Sequence, residues 1–309
     1  GVKENNYLGK GLGIISNITI DPESLKGLLS ISDPNFKNSN KSLYGSIQAT
    51  EDDRLKDFGY KSSKTGFSIG TNFEYLDDLF LGLSTSSFYE SVSTDSTASA
   101  RQKKQEGDYW DTFLKLDFDF DKRNQKYKTS DGFRSIYQLT LPVISETYTL
   151  SNSYEYRHYD EFIENSITRF SFYLKSSQSL TGDDIKLSER LFIPSRKLRG
   201  FERGKVGPKD GNDYVGGNFV TSLNLSSNLP IILQDNEDMD LSIFFDAANI
   251  WGVDYDSSIN DHSGIRSSVG ISVDWWTPIG PLNFSLAQPI TDKPTDITET
   301  FRFNIGTTF

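Results

Sequence analysis

The chain has 309 residues, of which 35% are hydrophobic and 13% aromatic, with 24 glycines, one methionine and no cysteine. So many aromatic residues argue against disorder, and no apolar run approaches the roughly 18–20 residues that a membrane-spanning helix needs. The absence of cysteine excludes a disulfide framework and a thiolate metal site, and it is compatible with an oxidising compartment such as the periplasm. The formal net charge of −11 argues against a nucleic-acid partner.

Hydrophobic and polar residues alternate along most of the chain, and a period of two is typical of β-strands. The clearest case runs from Leu114 to Asp121, where Leu and Phe share one face and Lys and Asp the other. Residues 1–7 could form the tail of an earlier strand. About fourteen full strands are predicted: 10–20, 24–32, 41–51, 60–75, 78–90, 108–121, 132–143, 147–160, 164–178, 215–229, 239–251, 265–276, 281–290 and 299–309.

The same alternation would suit a soluble antiparallel sandwich with one dry face. Three features favour a transmembrane barrel instead. Many predicted strands are longer than the roughly 5–6 residues usual in soluble domains, and short connections alternate with long or polar ones, as between the two sides of a membrane barrel. Aromatic residues also stand at strand ends, as in interfacial girdles: Tyr60, Tyr75, Tyr89, Trp110, Trp251, Trp275 and Trp276. We therefore predict an all-β, transmembrane antiparallel β-barrel in the outer membrane.

Two predicted connections are long. The segment from Ser91 to Gly107 is rich in Ser, Thr and charge, and we expect a flexible, solvated loop there. The segment 178–215 is too long for a passive connection. It contains Leu198-Arg199-Gly200-Phe201, in which arginine offers a rigid five-donor fork and phenylalanine an apolar anchor. From composition alone, this segment could equally be a surface loop whose arginine is solvated.

The tetrad resembles the V/L-R-G-F signature of the BamA family of outer-membrane assembly factors, whose barrel is also called the bacterial surface antigen domain. Further family motifs follow in the same order along essentially the whole chain. They are Asn6-Tyr7-Leu8-Gly9-Lys10-Gly11 at the start, Val206-Gly207-Pro208, Gly216-Gly217-Asn218, Phe244-Phe245-Asp246-Ala247-Ala248-Asn249-Ile250-Trp251, Pro278-Ile279-Gly280-Pro281-Leu282, Ala287-Gln288-Pro289 and the final Phe301 to Phe309. A lone R-G-F would carry no weight, whereas this ordered set is specific.

The resemblance implies a sixteen-stranded barrel in which the long loop, 178–215, folds back into the lumen. It also implies that Arg199 docks on Asp246, whose parity along its strand places it inward. Gly207, Gly216 and Gly217 correspond to glycines of that loop and of the following strand. Family members place a glutamate near the arginine as a second anchor, but the matching position here is Ser226, which leaves that anchor in doubt. The resemblance further implies that 1–309 is a barrel domain without its first strand or two and without the periplasmic POTRA repeats.

The function that the resemblance implies is the insertion of other β-barrel proteins into the outer membrane through a lateral seam between the first and last strands. An unpaired strand edge in lipid is costly, so an incoming strand can add to it by β-augmentation. The residues expected on the last strand at this seam are Phe301, Phe303, Ile305, Gly306 and Phe309, with Gly306 as a place to bend. The implied partners are outer-membrane lipid, unfolded barrel clients and periplasmic lipoprotein subunits bound through the missing POTRA repeats.

Some features of the sequence are shared with proteins of other functions. A terminal Phe309 with alternating aromatics is equally typical of a passive porin or a ligand-gated transporter, although those lack the loop tetrad. Translocation-assembly and two-partner secretion barrels share an R-G-F/Y loop, but the early turn and the late hairpin favour the BamA family. Because His158 and His262 are the only histidines, neither a His-based metal cluster nor a catalytic triad is expected. We expect no enzyme activity, no cofactor and no metal.

Overall fold

The structure is a computed structural model that describes residues 1–21, 23–126, 128–229, 238–253, 259–277 and 280–305. The strands are β1 Val2–Tyr7, β2 Leu12–Asp21, β3 Ser24–Asp33, β4 Lys41–Arg54, β5 Tyr60–Leu76, β6 Leu79–Thr94, β7 Gly107–Asp121, β8 Gly132–Ile144, β9 Thr149–Ile163, β10 Ser166–Ser179, β11 Lys209–Asp210, β12 Asp213–Tyr214, β13 Phe219–Asn228, β14 Met239–Trp251, β15 Arg266–Thr277, β16 Gly280–Thr291 and β17 Phe301–Ile305. The α-helices, α1 Leu55–Phe58 and α2 Ala100–Lys103, are single turns, as are the 3-10 helices Phe36–Asn38 and Leu187–Glu189.

Fifteen of these strands form one antiparallel sheet in which each strand pairs with its neighbours in sequence, apart from the small hairpin β11–β12. The predicted all-β antiparallel fold is confirmed. Each predicted strand has its counterpart, and the sheet gains β1 from the residues that the alternation left as a tail. The lengths of most strands exceed those of a soluble sandwich because each must cross the bilayer at a tilt.

The two faces of the sheet differ as the period of two requires. In β14, Ile243 is 47% exposed and points outward, whereas Phe244 and Asp246 on the opposite parity are buried. The outward face carries exposed aliphatic and aromatic side chains along the sheet, such as Ile69, Phe118 and Leu225. This face suits contact with lipid, and the inward face encloses the long connection.

The connection between β10 and β13, residues 180–218, is called the lumenal loop below. Because the strands run antiparallel in sequence order, it leaves from the same end of the sheet as the β4–β5, β6–β7 and β16–β17 connections. We call this the outer end. Among the described residues, β1 pairs only with β2, and β17 only with β16. No helix in the described part of the chain has the length and apolar character to cross a membrane.

The segment from Ser91 to Gly107, which its composition predicts to be a flexible, solvated loop, contains regular structure. β6 continues to Thr94, and α2 begins with a capping box between Ser99 and Gln102. The buried Gln102 also donates to the carbonyl oxygen of Phe58 at 3.1 Å. Ser99 and Gln102 therefore cap and dock this segment, which its composition does not reveal.

Candidate functional site

The lumenal loop is packed on an apolar cluster inside the sheet. Leu198 and Phe201 of the tetrad are buried in it, together with inward side chains of β13 and β14 such as Val220 and Ile250. Burying a side chain the size of phenylalanine contributes about 1.5–3 kcal/mol. The tetrad is therefore held inside the lumen by its apolar members as well as by its charge.

Arg199 lies on Asp246 of β14. Its Nε donates to Asp246 Oδ2 at 2.7 Å and its Nη2 donates to Oδ1 at 2.8 Å, while its backbone N–H donates to Oδ2 at 3.0 Å. The guanidinium also stacks over the Phe244 ring, 3.4 Å from the centroid. This bidentate geometry combines charge with direction, so it specifies where the loop sits on the wall.

The second polar partner of this pair is Asn224 and not Ser226. Asn224 Nδ2 donates to Asp246 Oδ1 at 2.9 Å and to the Lys197 carbonyl at 2.8 Å. In the register of β13 on β14, Asn224 lies directly opposite Asp246, whereas Ser226 lies opposite Phe244. The second anchor, which the sequence comparison left in doubt at Ser226, is a neutral amide two residues earlier on the strand.

A second attachment of the loop lies on β6 and β7. Lys186 Nζ donates to Glu90 Oε2 at 3.1 Å and to Asp111, and it lies 4.8 Å from the centroid of the Tyr109 ring. All three charged side chains are buried. Burial by itself would lower the pKa of Lys186, but the carboxylates of Glu189, Glu90 and Asp111 outweigh burial and raise it above the usual lysine value. The lysine therefore remains charged at neutral pH.

Two further lysines connect the loop to the wall. Lys197 pairs with Glu155 of β9 and also donates to Ser171 Oγ at 3.2 Å. Lys205 pairs with Asp57 of α1, in the connection between β4 and β5. The loop thus places cations on acidic residues at separate positions around the wall, and these contacts fix it against rotation within the lumen.

The loop glycines stand where a side chain would collide. Gly216 has a φ of 68°, and a Cβ there would lie 2.6 Å from the Leu191 carbonyl oxygen. Gly207 has a φ of 108° and would meet Ile250. Gly217 joins the same region through two backbone hydrogen bonds of 2.9 Å with Leu191. Close backbone approach, which only glycine permits, closes the base of the loop.

The two faces of β17 point to different environments. Phe301 and Phe303 are 53% and 44% exposed and face outward, and Phe303 stacks on Phe284 of β16 with 4.9 Å between ring centroids. Arg302 points inward and contacts the lumenal loop. Ile305 ends the described strand, and Gly306 and Phe309 lie outside the described residues.

A polar cavity of about 500 Å³ remains between the loop and the wall formed by β7 to β10. Its lining includes Lys115, Glu155 and Lys175, so it suits water and ions better than an apolar ligand. Across the described part of the chain, no group of three acidic, histidine or cysteine side chains is arranged to hold a metal ion.

A family model for the Omp85 superfamily domain matches residues 6–309. The chain belongs to the Omp85 superfamily. Together with the BamA relatives of the chain, this match confirms the resemblance to the BamA family seen in the motifs and the outer membrane as the location.

Outer membrane protein assembly factors named BamA are similar to parts of the chain. The outer membrane protein assembly factor BamA of Neisseria meningitidis serogroup B is 32% identical over 139 residues, which are 36% of this chain and 17% of that protein. BamA of Nitratidesulfovibrio vulgaris is 26% identical over 216 residues, or 65% of this chain and 26% of that protein. The chain therefore spans a minor part of the length of these relatives.

Solved structures show the same fold. BamA from Haemophilus ducreyi lacking POTRA domains 1–3 superposes with a TM-score of 0.88 at 21% identity, covering 97% of this chain and 65% of that one. CdiB from Acinetobacter baumannii superposes with a TM-score of 0.55 at 10% identity, covering 98% and 55%. The better superposition on BamA agrees with the motif order.

Sequence reasoning brought Arg199 and Asp246 to attention but missed Lys186, Glu90, Asp111 and Arg302 as loop contacts. Strand parity could have shown that Glu90 and Asp111 face inward, because Glu90 has the opposite parity to the outward Leu83 of β6 and Asp111 has the opposite parity to the outward Phe118 of β7. Parity could not have shown which loop cation meets them.

Proposed function

We propose that this chain is the barrel of an assembly factor that inserts other β-barrel proteins into the outer membrane. The observation that carries the proposal is the R-G-F loop held inside the lumen by the Arg199–Asp246 pair, within a barrel that superposes on BamA at a TM-score of 0.88. The role is one of positioning strands and lipid, with no bond made or broken.

In the proposed mechanism, clients are inserted at the seam between the first and last strands of the full-length barrel. β17 offers its backbone edge to an incoming strand of an unfolded client, which adds by β-augmentation. Phe301 and Phe303 support this, since they hold the outward face of β17 in lipid while the edge is offered. Gly306 and Phe309 are proposed to complete the seam strand, with Gly306 as its bending point. A short apolar belt would thin the bilayer locally and ease insertion.

The partners proposed for the full-length protein are outer-membrane lipid, unfolded barrel clients and periplasmic lipoprotein subunits. We propose that upstream POTRA repeats recruit those subunits, as the family resemblance implies. The barrel alone would then be the membrane-embedded part of a larger assembly.

Depletion of the full-length protein in its own cells tests the function. We expect outer-membrane barrel proteins to fall together while inner-membrane proteins hold steady, and wild-type barrel levels after depletion would contradict the proposal. Restoration by the wild-type gene but not by a seam-locked variant tests the mechanism. The described chain has no cysteine, so Phe303→Cys paired with a cysteine in the first strand of the full-length barrel can be locked by oxidation.

The second candidate is a two-partner secretion barrel, supported by the R-G-F tetrad of the lumenal loop, a motif that such barrels share with the BamA family. A secretion transporter would export one dedicated protein and leave the other barrels unaffected by depletion. The same depletion experiment therefore separates the two functions.

A further inference from the structure

We infer that Arg302 is a positioning residue that ties the last strand to the lumenal loop, so that β17 and the R-G-F tetrad move as one unit. The inference rests on the proposed function, because it concerns the strand at the proposed seam. It adds a coupling between that strand and β14, which lies three strands away in the sheet.

Arg302 spans the tetrad from the inner face of β17. Its Nη1 donates to the carbonyl oxygen of Ser195 at 2.6 Å, and its Nη2 donates to that of Phe201. Its Nε and Nη2 also donate to Glu299 Oε2 at 2.9 and 2.7 Å. These donors are fixed in one plane by the guanidinium, so a single side chain can hold two loop carbonyls and orient itself on a carboxylate.

The backbone reinforces this contact. Residues 292–300, the connection between β16 and β17, run antiparallel to part of the loop through a bridge between Phe201 and Thr298. The Glu202 N–H donates to Ile297 O at 2.8 Å, and the Glu299 N–H donates to Gly200 O at 3.0 Å. The loop therefore supplies this connection with a strand partner inside the lumen.

Asp296 holds the same connection to the wall. Its carboxylate accepts from Arg266 Nε at 2.9 Å and Nη2 at 3.2 Å, and both side chains are fully buried. It also accepts from the Gly207 N–H at 3.2 Å. The connection between β16 and β17 is thus attached both to the lumenal loop and to β15.

These contacts form one continuous chain on the inner side of the sheet, from β14 to β17. Asp246 of β14 holds Arg199, the segment 195–201 carries the tetrad, and Arg302 returns from that segment to β17. On its other side, the described part of β17 pairs with β16 from Leu286↔Phe301 to Leu282↔Ile305. Displacing the outer half of β17 must break the Arg302 bonds or move the loop with it.

A simpler role for Arg302 is local: it would only neutralise Glu299, three residues earlier, and fill space. That role predicts effects confined to residues 297–305. Coupling predicts effects that reach the loop about a hundred residues away in sequence, and effects in the reverse direction from Arg199.

Hydrogen exchange of the full-length protein in lipid, followed by mass spectrometry, separates the two roles. With Arg302→Gln we expect amides of 195–202 to exchange on the order of tenfold faster, since two charge-assisted bonds to that segment are lost. Arg302→Lys should lie between, because one ammonium cannot reproduce the planar fork, and it decides the test if Arg302→Gln does not fold. Arg134→Gln is the matched control, since Arg134 also points inward but bonds to Asp119 of the neighbouring strand.

The reciprocal measurement is decisive for coupling. Arg199→Gln should accelerate exchange at the amides of 301–303, since the Arg199 side chain bonds to Asp246 and Ser272 and the direct backbone contact between the loop and the β16–β17 connection ends at Glu299. Faster exchange confined to 297–305 in Arg302→Gln, or an unaltered β17 in Arg199→Gln, would overturn the inference. Exchange is read without clients, so absence of insertion activity with the coupling intact would count against the proposed function alone.

Discussion

Asp246 accepts four hydrogen bonds on its two carboxylate oxygens, three from Arg199 and one from the Asn224 side chain. The carboxylate is completely buried, and the arginine is nearly so. An ion pair in this setting is geometrically specific, and removing one member leaves the other charge without compensation.

We therefore expect Asp246→Asn to lower the free energy of unfolding by about 3–5 kcal/mol, measured by denaturant titration in lipid vesicles. The double variant Arg199→Met with Asp246→Asn should lose less, because no isolated charge remains. Equal losses in the single and double variants would show that packing, and not the buried charge, sets the cost.

The Lys186 attachment should respond in the same way. Lys186→Met leaves the buried Asp111 without the Lys186 cation and Glu90 with Lys64 at 4.0 Å, so this part of the loop should detach and residues 180–195 should become sensitive to protease. Adding Glu90→Gln to Lys186→Met should restore part of the resistance, since one of the two repelling carboxylates is removed. Unchanged protease resistance in Lys186→Met would contradict an anchoring role.

Two glycines of the loop allow the cost of a steric clash to be separated from the cost of a left-handed backbone conformation. Gly216 and Gly211 have nearly equal φ values, 68° and 64°, but a Cβ meets the Leu191 carbonyl only at Gly216 and has open space at Gly211. Alanine at either position pays the left-handed penalty of roughly 1–2 kcal/mol. Gly216→Ala should lower the thermal unfolding midpoint clearly more than Gly211→Ala, and similar shifts would mean that the collision is relieved by movement.

Tyr214 should contribute to the pH dependence of the fold at alkaline pH. Burial, assisted by the charges of Asp296, Glu202 and Asp57, raises its pKa to about 12. Its hydroxyl donates to Thr295 O at 2.7 Å. Because the folded pKa exceeds the ordinary value of about 10, this group stabilises the fold below pH 10 and loses that contribution as pH rises through 12.

Unfolding titrations between pH 9 and 12.5 check this expectation for Tyr214 by comparison with Tyr214→Phe. The ordinary tyrosine pKa and the raised pKa of Tyr214 set the two ends of this pH window. The wild type should lose stability across it, and Tyr214→Phe should lose less. Parallel curves for the two proteins would assign the alkaline loss to other groups.

The outward face of the sheet can be tested with adjacent residues of β4. Ile47 is exposed on the lipid face, and Gln48 lies on the opposite parity. Ile47→Lys should cost roughly 2–4 kcal/mol near the bilayer centre, whereas Gln48→Lys should be nearly neutral in the polar lumen. A folded barrel migrates differently on a gel before and after boiling, so the temperature at which this difference disappears compares the stability of the two variants. Equal temperatures for Ile47→Lys and Gln48→Lys would contradict the assigned faces.

The strands and their faces were predictable from sequence. Alternation at a period of two determines which side chains of β7 and β14 face outward, because successive side chains of a strand point to opposite sides. Motif order went further and paired Arg199 with Asp246, two residues 47 positions apart whose side chains lie 2.7 Å from each other. The helical turn between Ser91 and Gly107 was missed, because composition does not reveal a capping box that docks on another loop.

The amino-acid sequence by itself determined an antiparallel barrel with a lipid face, a polar lumen and one loop too long to be passive. Only the tertiary structure decided which wall residues hold that loop. Lys186 meets Asp111 and Glu90 across 75 and 96 residues of sequence, and Arg302 reaches Phe201 across 101. Strand period fixes the face of a side chain, but the partner across the lumen depends on the curvature of the sheet and on the path of the loop, for which local sequence carries no periodic signal.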